Sequence, residues 1–254
     1  MKVMTFNIRY ENEIDGSNGW EQRRTQVVRL INRYTPDVLG TQEGKRSQLL
    51  YLVSSLSSYR LCSKDRLWDD NSQYPTLFTE ENKFEVKENG EFWLSKTPAV
   101  HLSKDWGSAF PRMMNYARLQ VKENKRSLWV VVTHLDNVGA KARYEQGRLL
   151  AQWVRSKKEP VILMGDFNDN PGSCLYKMLT APETGLIDTW EKSGGGEGPE
   201  SFTHHGFKGS PQQSRMDWIL ASSHFTISDA AIIRDNEKGA YPSDHFPYLV
   251  EVEF

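Results

Sequence analysis

The sequence predicts a single domain of mixed strands and helices, of the size of one sandwich or barrel, on three grounds. Its 254 residues contain no shift in composition that would divide them, so residues 1–254 are read as one domain. Hydrophobic residues make up 38% of the chain, and eight Trp, ten Tyr and eleven Phe give enough apolar volume for a large core. Short apolar runs that end abruptly in a polar side chain recur along its length, with stretches of helical spacing between them.

Lys2 to Phe6 alternates as a strand and releases Asn7-Ile8-Arg9-Tyr10. Glu11 to Gly19, rich in Asn, Asp and Gly, is expected to be loop. Trp20 to Tyr34 follows as an amphipathic helix, with Val27, Val28, Leu30 and Ile31 inward and Arg23, Arg24, Arg29 and Arg33 on a solvated face. Beyond Pro36 a second short strand ends at Glu43. Ser47 to Leu56 is a helix whose stripe of Leu49, Leu50, Leu52, Val53 and Leu56 suits a sheet face. Strands are expected near Tyr59 to Cys62, Thr76 to Thr79 and Lys83 to Val86. From Phe92 to Arg118 no clean period survives, which suggests long loops carrying Trp93, His101, Trp106, Phe110, Arg112, Tyr116 and Arg118.

Tyr116 to Lys122 and Ser127 to Thr133 make a hairpin about Glu123 to Arg126, and the second strand ends in His134-Leu135-Asp136-Asn137. Ala140 to Ser156 is a helix with Ala142, Leu149, Leu150, Trp153 and Val154 toward the core, and with the strand from Val161 it completes a strand-helix-strand unit. That strand stops at Gly165 and releases Asp166 and Asn168. Ser173 to Leu179 is a short helix. Ser193 to Pro199 is a loop tip, since neither the lysine nor the helix start of a phosphate cradle follows it. Ser214 to Leu220 begins another strand, with Phe225 to Ile233 as its neighbour. A prolyl-framed loop, Tyr241 to Pro247, precedes the last strand at Tyr248 to Glu253.

The formal charge of −1 leaves no basic field to hold nucleic acid by long-range attraction, which disfavours a duplex DNA partner. Two cysteines, Cys62 and Cys174, make a reducing cytoplasm the default compartment, with an exported form open if a leader has been removed. No apolar run approaches a membrane span.

Collected, the polar termini are Asn7, Glu43, His134, Asp166 with Asn168, Asp217, and Asp244 with His245. Each alone has an ordinary structural role open to it, as a turn cap, a solvated acid or a satisfied core histidine. Six such segments at strand margins are harder to assign to coincidence. Their oxygens and amides, with no cysteine cluster among them, suit a hard cation better than thiolate-bound zinc.

Thr5-Phe6-Asn7, Thr41-Gln42-Glu43, Thr133-His134-Leu135, Gly165-Asp166-Phe167-Asn168, Met216-Asp217-Trp218-Ile219 and Ser243-Asp244-His245-Phe246-Pro247 occur in that order. The ordered set resembles the endonuclease/exonuclease/phosphatase superfamily. The resemblance implies an α+β fold, a four-layer αββα sandwich of two mixed sheets flanked by helices. It implies hydrolysis of a phosphate ester with Mg²⁺ or Mn²⁺. Glu43, Asn7 and Asp244 would serve the metal, Asp166 would deprotonate water, Asn168 would donate to a phosphoryl oxygen, Asp217 would hold His245, and His134 would be the acid for the leaving oxygen. Asn7-Ile8-Arg9-Tyr10, Asp15-Gly16, Trp20, Arg23 or Arg24, Trp106-Gly107 and Pro111-Arg112 look like a microbial branch near the nocturnin-like enzymes, with Asn137 where that branch has a second histidine. Arg118, Tyr116, Arg112 and Trp106 are the candidate substrate contacts, Arg118 foremost because a guanidinium fork matches phosphate. The expected protein is a monomeric phosphodiesterase, nuclease or phosphatase acting on a single-stranded, nucleotide-sized or small phosphoester. The alternative is a catalytically silent binding module on the same fold.

Overall fold

The computed structural model describes residues 1–63 and 65–254. Among them the strands are β1 (Lys2–Asn7), β2 (Val38–Gln42), β3 (Tyr59–Leu61), β4 (Thr76–Glu80), β5 (Phe84–Trp93) and β6 (Met113–Val121). They continue as β7 (Ser127–His134), β8 (Val161–Asp166), β9 (Leu186–Asp188), β10 (Asp217–Ser222), β11 (Thr226–Ile232) and β12 (Tyr248–Glu253). The helices are α1 (Trp20–Tyr34), α2 (Arg46–Ser55), α3 (Ala140–Arg155), α4 (Cys174–Leu179) and α5 (Thr189–Lys192).

Two six-stranded sheets result, one in the order β11-β12-β1-β2-β4-β3 and the other β5-β6-β7-β8-β10-β9. Each has one parallel pair at its centre, β1 with β2 and β7 with β8. A parallel pair needs a crossover, and α1 and α3 supply them. Val3, Val38, Val130, Val132, Ile162 and Met164 belong to the core between the sheets. Gly40 sits where they approach most closely, since a Cβ there would lie 2.9 Å from both Met164 and Val132. The outer face of the first sheet buries Met4, Phe6 and Leu39 with Val27 and Ile31 of α1 and Leu49 and Leu52 of α2. The outer face of the second buries Val131, Leu163 and Trp218 with Leu150 and Val154 of α3. This is the four-layer αββα sandwich.

The structure corrects four expectations. Phe92 to Arg118 is not all loop, because β5 runs to Trp93 and β6 starts at Met113. Its period is masked because β5 is an edge strand with a bulge between Val86 and Glu88, and because Asn115 points a polar group into the core, where it bonds Leu77 N at 2.9 Å and Gly90 O at 3.0 Å. Phe225 to Ile233 does not pair with the strand before it. The short strand β9 takes that free edge of β10, and β11 crosses to pair with β12 in the other sheet. Arg23 is buried rather than solvated. The stripe on α2 is also narrower than expected, with Leu50 and Val53 exposed.

Candidate active site

The parallel pairs deliver their carboxyl ends to one margin of the sandwich. β1 ends at Asn7, and Glu43 follows β2 in the left-handed region at φ +64°. His134 and Asp166 are register partners on β7 and β8, and Asp166 and Asp217 are register partners on β8 and β10, so three polar residues form a row across neighbouring strands. Glycine is required before Asp166, because Gly165 has φ +148° and a Cβ there would lie 2.1 Å from Thr133 O. Arg9 at φ +54° and Asn168 at φ +50° are also left-handed, so three residues at this margin hold conformations that L side chains disfavour. Asp244 and His245 arrive on the loop before β12. Ser243 Oγ pins it by donating to Asn7 O at 2.6 Å, and His205 N donates to Asp244 O at 2.8 Å.

Hydrogen bonds join these groups into one cluster. Asn7 Nδ2 donates to Asp166 Oδ2 at 3.0 Å and to Glu43 Oε1 at 3.2 Å, bridging the two sheets. The other Glu43 oxygen accepts from Tyr10 N at 3.1 Å. Asp166 Oδ1 accepts from Asn168 N at 2.9 Å, and His245 Nδ1 lies 2.8 Å from Asp217 Oδ2. Asn168 Nδ2 contacts Leu135 O at 3.0 Å and His134 Nε2 at 2.9 Å.

Burial, and then the nearby Asp217 carboxylate, push Asp166 up to about 7. Burial acts against a charged His245, but contact with Asp217, helped by Asp166 and Asp244, overrides it and raises His245 to about 10. His134 is held well below the ordinary histidine range by burial, with Arg112 and His245 adding to the effect. A neutral His134 that accepts at Nε2 has no proton to give there, and both amide protons of Asn168 are engaged. This hydrogen bonding therefore does not support an acid role for His134 or a phosphoryl-donor role for Asn168. The pair instead braces Asp166 and the turn at Leu135.

The cluster opens into a cleft of about 380 Å³ lined by Glu43, Arg112, His134, Asp166, Asn168, Asp244 and His245. Arg9, Tyr10, Phe110, His204 and Gln213 also line it and had no role assigned from sequence. Arg9 was visible beside Asn7, and the His204-His205 doublet is conspicuous in a chain with six histidines. Arg9 forks onto Asp15 at 3.0 and 2.9 Å and reaches Asp244 at 3.7 Å. Arg112 is buried, donates to Asn137 Oδ1 at 3.1 Å, and leaves its Nε without a partner.

Three expected substrate contacts are placed elsewhere. Arg118 pairs with Glu159 at 2.5 Å, well down β6 from the cleft. Tyr116 packs its ring on Trp129 and Trp153 beneath α3. Trp106 does not line the cleft. Alternation explains the first two, because even-numbered residues of β6 face away from the other sheet.

The donor set fits a divalent cation. Glu43, Asp166 and Asp217 have no lysine or arginine partner among the described residues, which leaves a local excess of negative charge. Ligand atoms of His204, Asp244 and His245 lie within 4.8 Å of one another, as do those of Asp166, Asp217 and His245. His245 Nδ1 is already spent on Asp217, so the carboxylate oxygens of Glu43 and Asp244, which keep lone pairs beyond the hydrogen bonds they accept, are the better donors, and they suit a hard ion.

Arg23 ties the margin together. Its guanidinium donates to Ile8 O, to Pro242 O at 3.0 Å, to Arg9 O at 2.5 Å and to Asn18 O at 2.9 Å. Burial lowers it to about 10 while Asp244 and Asp15 oppose, so it stays charged at neutral pH. Removing it orphans buried carbonyls on both loops that flank Asn7 and Asp244. We expect Arg23→Met to cost on the order of 3 kcal/mol in a denaturant melt, with Arg23→Lys recovering part of it. Equal midpoints for Arg23→Met and wild type would show the strap to be idle.

Comparison with known proteins places these features. Residues 4–245 match the model of the Endonuclease/Exonuclease/phosphatase family. Nocturnin of Xenopus laevis is 24% identical over 268 residues, covering 92% of this chain and 65% of its own length, so the chain spans less than two thirds of that relative. A mannosyl-6-phosphatase of Bacteroides thetaiotaomicron superposes with a TM-score of 0.90 at 29% identity over 100% of both chains. The catalytic domain of human Nocturnin with bound sulfate has a TM-score of 0.75 at 23% identity, covering 100% of this chain and 93% of that one, a likeness of fold.

Proposed function

The chain belongs to the Endonuclease/Exonuclease/phosphatase family, and on that footing we propose that it is a divalent-metal-dependent phosphoesterase that hydrolyses a phosphate ester by in-line attack of water. The observation that carries this reading is the meeting of Asn7, Glu43, Asp166, Asp217, Asp244 and His245, drawn from both sheets, around one cleft. A binding module without turnover has no need of a buried, unneutralised Asp166 beside a charged His245.

Asp166 accepts the proton of the attacking water, oriented by Asn7 Nδ2 and Asn168 N. His245, kept protonated by Asp217, donates Nε2–H toward the phosphoryl oxygens as charge builds on them. Arg112, which lines the cleft, holds a further phosphoryl oxygen through its guanidinium. Glu43, with Asn7 and Asp244 at the same margin, would hold Mg²⁺ or Mn²⁺, which supplies charge neutralisation on the phosphoryl group and the leaving oxygen. The near-neutral chain and the likeness to a mannosyl-6-phosphatase favour a small phosphomonoester over a polynucleotide.

A substrate panel tests the proposal: p-nitrophenyl phosphate, bis-p-nitrophenyl phosphate, hexose phosphates and single- and double-stranded oligonucleotides, each with Mg²⁺, Mn²⁺ or chelator. Turnover is expected on monoesters with either metal and is lost with chelator. Glu43→Ala raises the metal concentration needed for half-maximal rate at least tenfold. Chelator-resistant turnover would remove the metal, and silence on the whole panel would favour the binding module.

A further inference from the structure

We propose that a second pocket, continuous with the catalytic cleft, receives the leaving group, and that it takes a single hydroxylated ring, making the substrate a monosaccharide phosphate. The inference rests on the phosphoesterase reading and names its substrate class. Tyr10, Gln73, Phe110 and Arg112 line both the cleft and this pocket of about 220 Å³, so a phosphate seated at Arg112 directs its ester oxygen across that shared wall. The pocket is the more enclosed of the two, which suits one ring better than a chain passing through.

Its lining has the chemistry of a carbohydrate site. Tyr10 and Phe110 offer aromatic surface, with the buried Trp93 in the same lining, and Phe110 is 52% exposed and lines both spaces. Such faces pack against the C–H side of a sugar ring. Asn71, Ser72 and Gln73 of the same lining bring polar groups: Ser72 Oγ already donates to Asp69 at 2.9 Å, while the side-chain amides of Asn71 and Gln73 have no hydrogen-bond partner among the described residues. Adjacent hydroxyls need such paired donors and acceptors. No aspartate or glutamate lines the pocket itself, the nearby Asp69 carboxylate being held by Ser72 Oγ at 2.9 Å and Asn71 N at 3.0 Å, and Lys45, 5.6 Å from the Tyr10 ring centroid, has no carboxylate within ion-pair distance among the described residues, which favours an anionic substrate.

The test compares kcat and KM for mannose 6-phosphate, p-nitrophenyl phosphate, adenosine 5′-monophosphate and a short single-stranded oligonucleotide. The proteins are wild type, Phe110→Ala and the Asn71→Ala/Gln73→Ala pair, with binding of mannose 6-phosphate followed by titration calorimetry. Wild type is expected to favour mannose 6-phosphate over p-nitrophenyl phosphate in kcat/KM. Both variants lower that ratio roughly tenfold, chiefly through KM, as lost leaving-group hydrogen bonds and packing should. A ratio unmoved by either variant, or wild-type preference for the nucleotide or oligonucleotide, overturns the subsite. Absence of turnover on all four substrates, with calorimetric binding that the variants weaken, would retain the subsite and sink the phosphoesterase reading instead.

Discussion

Asp166→Asn is expected to abolish turnover while raising the melting temperature of the metal-free protein. The carboxylate is buried, bonded by Asn7 Nδ2 at 3.0 Å and Asn168 N at 2.9 Å, and burial and Asp217 push it to about 7. Turnover needs it ionised to take a proton, and removing a positioned base of this kind costs about 10²–10⁴ in kcat. Stability moves the other way. Between the ordinary value of 3.8 and about 7 the folded chain keeps a proton that the unfolded chain has lost, so this group's stabilisation is full below pH 4 and lost as pH rises through 7. That loss is on the order of a few kcal/mol, and an asparagine does not suffer it. Disturbing the bond from Asn7 takes back about 1 kcal/mol. The melting advantage of the variant should therefore be small at pH 4 and large at pH 8, measured with chelator present. A variant that melts below wild type at pH 8 would refute the cost assigned to burying this charge, and retained turnover would remove Asp166 as the base.

That opposition of stability and activity is why the sheet centres were legible in the sequence and parts of the margin were not. β1, β2, β7 and β8 are buried on both faces, so each appears as a largely apolar run whose end is marked by a charged, amide or imidazole side chain. Asn7, Glu43, His134 and Asp166 could be found that way. Asp217 opens β10 and appears as the polar start of a run instead. Edge strands lack this signal. β5 alternates poorly because it faces solvent, and β9 is three residues long. Pairing across the sandwich was hidden as well, because the partner of β11 depends on which edges are already taken.

Within the site, identities were legible but orientations were not. Arg112 was marked by its charge near aromatics, and it does line the cleft; Arg118 was marked on the same ground, and β6 turns it away. The two arginines share parity, so alternation does not separate them: Arg112 stands just before β6 at the cleft margin, whereas Arg118 lies well down the strand against Glu159, and the obscured start of β6 hid that distance. Arg23 shows the converse, since a helical wheel of four arginines gives no sign that one of them is aimed at four backbone carbonyls.

Asp217→Asn should shift the whole pH–rate profile toward acid, and His245→Ala should leave a folded protein with only a small residual turnover. In wild type the rate rises as Asp166 ionises near 7 and falls as His245 deprotonates near 10. Asp217 causes part of both displacements, by repelling the Asp166 carboxylate and by contacting His245 Nδ1 at 2.8 Å. With asparagine there, Asp166 ionises at lower pH, and His245, with only Asp166 and Asp244 left to oppose burial, falls well below its wild-type value. Both limbs move down, the descending one further, so the profile narrows and its maximum falls. A bound cation lowers the limbs of both proteins alike, which leaves their difference as the informative quantity. At a pH where Asp166 is already ionised, Asp217 acts on the rate through His245, so there adding Asp217→Asn to His245→Ala should cost little beyond the histidine loss alone, and additive losses would show that the two act separately. A descending limb that stays in place in Asp217→Asn would mean that some other group keeps His245 protonated.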